Sequence, residues 1–254
     1  MSNSSNILSK VAHVTFAFWV MKICATTLGE TAGDLLSMTL NVGYSLASAI
    51  LLGVFALTLA LQLRAKSFHP VLYWTVILST STAGTTISDW MDRTLGLGYA
   101  TGSMILISLL LTTLVVWRAV EGNLSVDPIQ TRRAELFYWT AILFSNTLGT
   151  AAGDFLADSS GLGFGGGALL IGSALAVILG LFWFTQTNRV LLFWLAFVLT
   201  RPFGATFGDL LTKTPDKGGL GFGTIGSSLV LAALLAGFLV WTIRKERKLL
   251  VANP

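Results

Sequence analysis

The sequence predicts an all-α polytopic membrane protein of about eight transmembrane helices, arranged as four parallel two-helix repeats. Hydrophobic residues make up 54% of the 254-residue chain and charged residues only 11%, whereas soluble domains carry about 25% charged residues. The apolar residues come in long runs, such as 104–117 and 225–243, and a helix needs about 20 residues to cross a bilayer. A motif that recurs four times along the chain supplies the repeats.

The repeated motif centres on four aspartates. Five residues before each aspartate is a glycine, and fifteen residues before it is a tryptophan beside a second aromatic residue. A glycine followed by an aromatic residue comes after each aspartate. The aspartates are Asp34, Asp89, Asp154 and Asp209, the glycines are Gly29, Gly84, Gly149 and Gly204, and the tryptophans are Trp19, Trp74, Trp139 and Trp194. These positions predict a single membrane domain, 1–254, with repeats at about 11–66, 67–128, 132–187 and 188–248.

Each copy is predicted to form a two-helix hairpin: a helix, an outer turn and a second helix that runs back to the cytoplasmic side. Because each copy has two spans, successive copies enter the membrane in the same direction, and the repeats are related by rotation about the membrane normal. A pseudo-fourfold ring and a pseudo-twofold pair of pairs both fit this pattern. The long inner connection at 119–134 favours duplication of a four-span half.

The basic residues predict which helix ends are cytoplasmic. Only three of them, Arg93, Lys213 and Lys217, fall at one set of ends, while Lys22 and Arg201 lie within helices. The other set of ends is far more basic, and that excess marks the cytoplasmic side. Its eleven members are Lys10, Arg64, Lys66, Arg118, Arg132, Arg133, Arg189, Arg244, Lys245, Arg247 and Lys248. We therefore expect both termini in the cytoplasm of a bacterium and the chain in its inner membrane, with the lipid bilayer and no nucleic acid as partner.

These motifs resemble a bacterial family of integral membrane proteins built from a tandem repeat of unknown function. That family has four repeats, two spans in each, and a shared tryptophan. The resemblance covers about residues 11–248 and rests on the tryptophans and the Gly-x4-Asp motifs. It implies the eight-helix architecture and implies no activity.

A polar stripe is predicted on each first helix. Positions four and eight before an aspartate share its helix face, and only Ala205 among them is apolar. A polar stripe facing lipid would leave its groups unpaired, so we expect the four stripes to face one another. From the first copy to the fourth, the pairs are Glu30 and Thr26, Thr85 and Ser81, Thr150 and Asn146, and Ala205 and Arg201.

Glu30 and Arg201 break the symmetry of the stripes because they are charged where the other copies are neutral. A charged side chain near the bilayer centre costs at least about 2.5 kcal/mol. A closed bundle places the first and last copies side by side, so we expect these two residues to pair directly or through a water, with Asp34 as the alternative partner of Arg201. Lys22, three residues after Trp19, is expected to snorkel to the cytoplasmic surface.

The stripes predict a small membrane transporter or exporter whose polar cavity opens to the outside. The expected substrate-binding residues are the four aspartates, Glu30, Arg201, Thr26, Ser81, Asn146, Thr85 and Thr150. The aspartates are also candidate ligands for a metal cation such as Mn²⁺ or Mg²⁺, since hard cations prefer oxygen ligands.

Two other functions fit the same residues. Arg201 and Lys22 would suit an anion or neutral-solute carrier, and the stripes could also hold together a structural or sensory membrane protein. The sequence has no Ser-His-Asp, Cys-His or HExxH motif. We therefore expect no enzymatic activity and no cofactor, and the partner is a small solute or ion.

Overall fold

A computed structural model describes residues 11–126, 129 and 131–252. Lys10 and residue 128, at the end of the second predicted repeat, therefore lie outside the described part. Within that part the chain folds into long α-helices without any strand. The helices are α1 (Phe16–Asp34), α2 (Tyr44–Arg64), α3 (Pro70–Asp89), α4 (Gly98–Glu121), α5 (Arg132–Asp154), α6 (Gly163–Phe184), α7 (Arg189–Thr212) and α8 (Thr224–Ala252).

Local sequence signals set the starts of the first helices. The side chains of Thr15 and Thr131 accept hydrogen bonds from backbone N–H groups in the first turns of α1 and α5. Asn188 caps α7 in the same way, and Pro70 occupies the first position of α3. These are the residue types that satisfy, or do without, the free N–H groups at a helix start.

The motif aspartates mark the C-terminal ends of the first helices. Asp34, Asp89 and Asp154 are the last α-helical residues of α1, α3 and α5, and each is followed by one wider π-helical turn (Leu35–Thr39, Trp90–Thr94 and Phe155–Ser159). The fourth repeat has three more residues between its aspartate and the following glycine than the other repeats have. A short 3₁₀ turn, Pro215–Lys217, lies in this longer segment. The repeated glycine after each aspartate has a positive φ, between 66° and 80°. Glycine adopts this conformation without steric cost, which explains its place in the motif.

The four first helices form a closed inner ring. Helix α1 packs against α3 and α7, and α5 packs against the same two helices from the opposite side. Each second helix lies outside the ring, against the first helix of the following repeat: α2 on α3, α4 on α5, α6 on α7, and α8 back on α1. The second helix of each repeat therefore packs on the following repeat rather than on its own first helix. The turn after each first helix carries the chain sideways, so neighbouring repeats interlock and the last closes on the first.

The motif glycines allow the inner helices to approach closely. Gly29 faces Ser81, Gly84 faces the backbone of Asn146, and Gly149 faces the stem of Arg201. Gly204 completes the cycle against Thr26 of the first repeat. In every case the neighbour is the residue eight positions before the aspartate of the next repeat, so the backbone ring has pseudo-fourfold symmetry.

Large apolar side chains cover the outside of the bundle. Leu57 of α2, Val115 of α4, Leu169 of α6 and Leu229 of α8 are each more than 60% exposed. In the described residues, five helices are long and apolar enough to span a membrane, namely α2, α4, α6, α7 and residues 224–245 of α8. An outer layer of this kind is compatible with a multi-pass membrane protein.

Candidate functional site

The inner ring surrounds an axis filled by five layers of side chains, each layer taking one residue from each first helix. All of these side chains are buried. The two layers nearest the tryptophans are Phe18, Tyr73, Tyr138 and Phe193, then Lys22, Ile77, Ile142 and Phe197. The three polar layers follow: Thr26, Ser81, Asn146 and Arg201; then Glu30, Thr85, Thr150 and Ala205; then Asp34, Asp89, Asp154 and Asp209.

An aromatic floor closes the axis at the tryptophan end. The hydroxyls of Tyr73 and Tyr138 lie 2.5 Å apart and share a hydrogen bond. The rings of Phe18 and Phe193 face each other with their centroids 6.4 Å apart. The floor excludes water from the polar layers on that side because all four side chains are buried.

Arg201 links all four inner helices through its guanidinium group. Its Nη1 donates to a carboxylate oxygen of Glu30 at 3.0 Å, and its Nη2 donates to the hydroxyls of Thr85 and Thr150 at 2.5 and 2.7 Å. Longer hydrogen bonds reach the backbone carbonyls of Thr26 and Ser81. The side chain is fully buried, so one residue from α7 fastens α1, α3 and α5 together.

The expected ion pair between Glu30 and Arg201 is confirmed, with 3.0 Å between the charged atoms. The carboxylate of Glu30 also accepts hydrogen bonds from Thr85 and Thr150, each at 3.3 Å. A buried ion pair offsets its desolvation only when further hydrogen bonds satisfy the remaining polar atoms. The threonines of this layer supply such hydrogen bonds to the Glu30 carboxylate and to Nη2 of Arg201, whereas the buried Nε of Arg201 has no partner.

Lys22 does not snorkel, and that expectation is wrong. Its side chain is 0% exposed and points into the bundle. The ammonium nitrogen lies 3.4 Å from the amide oxygen of Asn146 and 4.0 Å from the centre of the Phe197 ring. In the described residues no carboxylate lies within ion-pairing distance of it. Asn146 is held in turn by a 2.8 Å hydrogen bond from its amide nitrogen to the hydroxyl of Thr80.

Two basic residues bridge the layer of aspartates. Arg93 contacts Asp89 and Asp154, both at 3.0 Å. Lys213 contacts Asp34 at 2.6 Å and Asp209 at 3.1 Å. Each bridge joins the aspartate of an even repeat to that of the next repeat, so the charges follow the pseudo-twofold pattern although the backbone follows the pseudo-fourfold one.

The carboxylates keep both bridging residues charged. Burial acts to lower the pKa of Lys213, but Asp209 and Asp34 outweigh it and raise that pKa above its ordinary value. Burial also acts to lower the pKa of Arg93, but the carboxylates of Asp89 and Asp154 outweigh it and raise that pKa above its ordinary value. Sequence reasoning placed both residues only as outer basic residues. The ion pairs could have been predicted from the sequence, because Arg93 and Lys213 each follow an aspartate, Asp89 or Asp209, by four residues. That spacing places opposite charges on one helix face.

One group of three carboxylates could hold a metal ion. Oxygens of Glu30, Asp34 and Asp209 all lie within 4.8 Å of one another. Asp89 and Asp154 lie outside this group and share Arg93. The four aspartates therefore do not form one four-carboxylate cluster in this conformation, and Lys213 touches two of the three clustered carboxylates.

The polar residues singled out from the sequence all meet at this axis, but they pack against one another. The members of the three polar layers are at most 4% exposed. An open cavity was expected at this place. In this conformation the long side chain of Arg201 fills the middle of the ring, and the bridges of Arg93 and Lys213 close the end opposite the aromatic floor.

The fold and axis define a class of protein: an all-α bundle of four interlocking two-helix repeats around a buried polar core. The chain belongs to the family described as Repeat of Unknown Function (DUF347), whose model matches residues 17–68, 72–123, 137–188 and 192–248. The fourfold repetition and the resemblance to that family are thus confirmed. No curated protein and no solved structure matches the chain in the corresponding searches.

Proposed function

We propose that the protein is a small transporter or exporter that crosses the bacterial inner membrane eight times, with both termini in the cytoplasm. The apolar outer faces of α2, α4, α6 and α8 support the membrane location. The inner helices α1, α3 and α5 are more polar, and their polar faces meet at the axis rather than at the lipid. The basic residues at the tryptophan end support the orientation.

The solute path in this proposal follows the axis of the inner ring. The observation that carries the proposal is the sequestration of charged residues, Glu30 and Arg201 above all, in the middle of four converging helices. Such residues are costly inside a membrane and mark substrate or ion pathways. The aromatic floor and the two outer bridges make this conformation a closed one, and transport requires each end to open in turn.

A metal cation such as Mn²⁺ or Mg²⁺ is the solute that the site suits best. Glu30, Asp34 and Asp209 offer a compact set of carboxylate oxygens, which hard cations prefer. Lys213 occupies the place of a cation between Asp34 and Asp209. Its side chain is 20% exposed, so part of it is accessible from the surface of the bundle. We propose that an incoming cation displaces its ammonium group from the two carboxylates.

An anion or neutral solute is the second candidate. Two fully buried basic side chains, Lys22 and Arg201, lie deep in the bundle, and Lys22 has no carboxylate partner in the described residues. The cation is favoured because both terminal nitrogens of the Arg201 guanidinium already donate hydrogen bonds, to Glu30 and to two threonines. A purely structural or sensory role would leave the axis closed and would give no flux of any solute.

Flux into proteoliposomes tests the proposal. Purified protein is reconstituted, and uptake of radiolabelled Mn²⁺, Mg²⁺, phosphate and a sugar is compared with uptake by protein-free vesicles. We expect Mn²⁺ or Mg²⁺ uptake, and a loss of at least about tenfold in Asp34→Asn and Asp209→Asn, since each removes one of a few charged ligands.

Asp216→Asn is the matched control, because Asp216 is an exposed residue of the outer turn after α7. Its uptake should equal that of the wild type. Uptake of phosphate or sugar without metal uptake would favour the second candidate. Absence of uptake for every solute, with correctly folded protein, would contradict a transport role.

A further inference from the structure

Lys22 is a buried titratable group on the axis that takes no part in the proposed cation-binding site. It lies on α1, eight residues before Glu30, and is 0% exposed. Its ammonium nitrogen has one long hydrogen bond, to Asn146, and lies against the Phe197 ring. Burial of an ammonium group away from water and without a carboxylate partner favours the release of its proton.

The surroundings of Lys22 make its charge sensitive to other charges along the axis. The titratable or charged groups near it are Arg201 from α7, Glu30 from its own helix, and the hydroxyls of Tyr73 and Tyr138 from α3 and α5. Helix α8, which also packs on α1, carries no charged residue between positions 224 and 243. The Glu30 carboxylate is already paired with Arg201, so an ammonium group on Lys22 adds an unbalanced positive charge.

We propose that Lys22 is a proton-binding site that couples proton exchange to cation transport, an inference that rests on the proposed cation path. When a divalent cation binds at Glu30, Asp34 and Asp209, one N–H bond of the Lys22 ammonium breaks. The proton passes to water once the closed layers part, and the neutral amine remains. When the cation leaves, the amine takes up a proton again, so the protein exchanges cations for protons.

The expected coupling follows from charge and distance. Eight helical residues separate Lys22 from Glu30 by about 12 Å along the axis. A divalent cation that displaces the Lys213 ammonium group adds one net positive charge at the carboxylates. At an effective dielectric constant of about 20, that charge changes the proton affinity of Lys22 about tenfold.

Opposite substitutions of Lys22 test the inference. Binding of Mn²⁺ to protein in detergent is measured by calorimetry at pH 6 to 9, in buffers that differ in ionisation enthalpy so that released protons are counted. For the wild type we expect proton release and an Mn²⁺ affinity that rises about tenfold with pH. Lys22→Met imitates the neutral amine and should bind Mn²⁺ tightly at every pH. Arginine stays protonated, so Lys22→Arg should bind weakly at every pH.

Two further variants complete the design. Lys22→Gln keeps a donor for Asn146 and should behave as Lys22→Met does, which covers the case in which the methionine variant fails to fold. Lys66→Met, at an exposed position between α2 and α3, should behave as the wild type.

The outcomes separate the two proposals. If Lys22→Gln or Lys22→Met binds Mn²⁺ with the proton release and pH dependence of the wild type, the coupling is wrong. The proposed cation path would be unaffected by that result. A wild-type protein that binds no Mn²⁺ would overturn the cation path, and the coupling with it. We expect both variants to lose the proton release, and we expect the Mn²⁺ affinity to rise in the methionine variant and to fall in the arginine variant. A merely structural role of Lys22 does not produce this pair of opposite shifts.

Discussion

Replacement of Arg201 by methionine should destabilise the protein more than any other single substitution at the axis. The change removes the ion pair with Glu30 and the hydrogen bonds to Thr85 and Thr150. It leaves the Glu30 carboxylate 3% exposed, with only two hydrogen bonds of 3.3 Å. Breaking a buried pair by removing one partner costs about 3–5 kcal/mol.

The companion variants isolate the ion pair from the rest of the contacts. Glu30→Gln should cost about 3 kcal/mol, at the lower end of the same range, because the threonine hydroxyls still accept from Arg201. The double variant leaves no unpaired charge, so its loss should fall short of the sum of the single losses by about 2–3 kcal/mol. Arg118→Met, at an exposed position near the end of α4, should change the stability by less than about 0.5 kcal/mol.

Thermal unfolding in detergent, followed by the fluorescence of the eight tryptophans, measures these differences. For a domain of this size, 1 kcal/mol corresponds to about 2–4 °C, so the Arg201→Met variant should melt about 6–20 °C below the wild type. Additive losses in the double variant would mean that the two charges are not coupled. A loss as small as that of the Arg118→Met control would refute the role of Arg201 as the link between the inner helices.

Three further predictions concern close packing, the outer bridge and topology. In Gly204→Ala the added Cβ would lie 2.8 Å from the backbone of Thr26, so thermal melts should show a loss of stability of about 1–3 kcal/mol. In the control Gly53→Ala the added Cβ meets nothing within 4 Å, so no loss of stability is expected. Equal losses in the two variants would contradict the close contact. Because the pKa of Lys213 is raised above its ordinary value of 10.5, the stability from its bridge is fully present below that value and is lost only at higher pH. The difference in melting temperature between wild type and Lys213→Met should therefore be constant from pH 7 to 9, and a difference that disappears in this range would contradict the bridge. In a Cys24→Ser background, a cysteine introduced at Ser159 should react with an impermeant thiol reagent added outside intact cells and one at Ser125 should not, whereas the reverse pattern would contradict the orientation.

The repeat pattern in the sequence predicts most of the fold. Residues spaced alike in four copies, such as Gly29 and Asp34 and their equivalents, occupy equivalent places in the structure, and the helix-face rule brought Glu30 and Arg201 together correctly. The packing of the second helices could not be predicted from the repeat pattern. Their faces are almost uniformly apolar, so nothing in the sequence of α2 distinguishes packing on α1 from packing on α3.

The features of the site that depend on one helix could be predicted from the sequence. The features that depend on contacts between several helices were harder to predict. The polar stripes follow from helix periodicity within each copy. The inward direction of Lys22 depends on Asn146 of α5 and Phe197 of α7, which are 124 and 175 residues away in the sequence. The bridges of Arg93 and Lys213 similarly depend on which repeat lies next in the ring. Periodicity within one helix holds no information about such neighbours.

The axis as solute path is the central claim, and chemical blockade at one position on the axis tests it most directly. In a Cys24→Ser background, Ala205→Cys places a small reactive group in the layer of Glu30 without removing a polar ligand. Ala56→Cys on the exposed face of α2 is the matched control. A hydrophilic thiol reagent should stop Mn²⁺ flux through the Ala205→Cys variant, and bound Mn²⁺ should slow that reaction, while the control keeps its flux. Undiminished flux after complete modification of the cysteine at position 205 would contradict the claim.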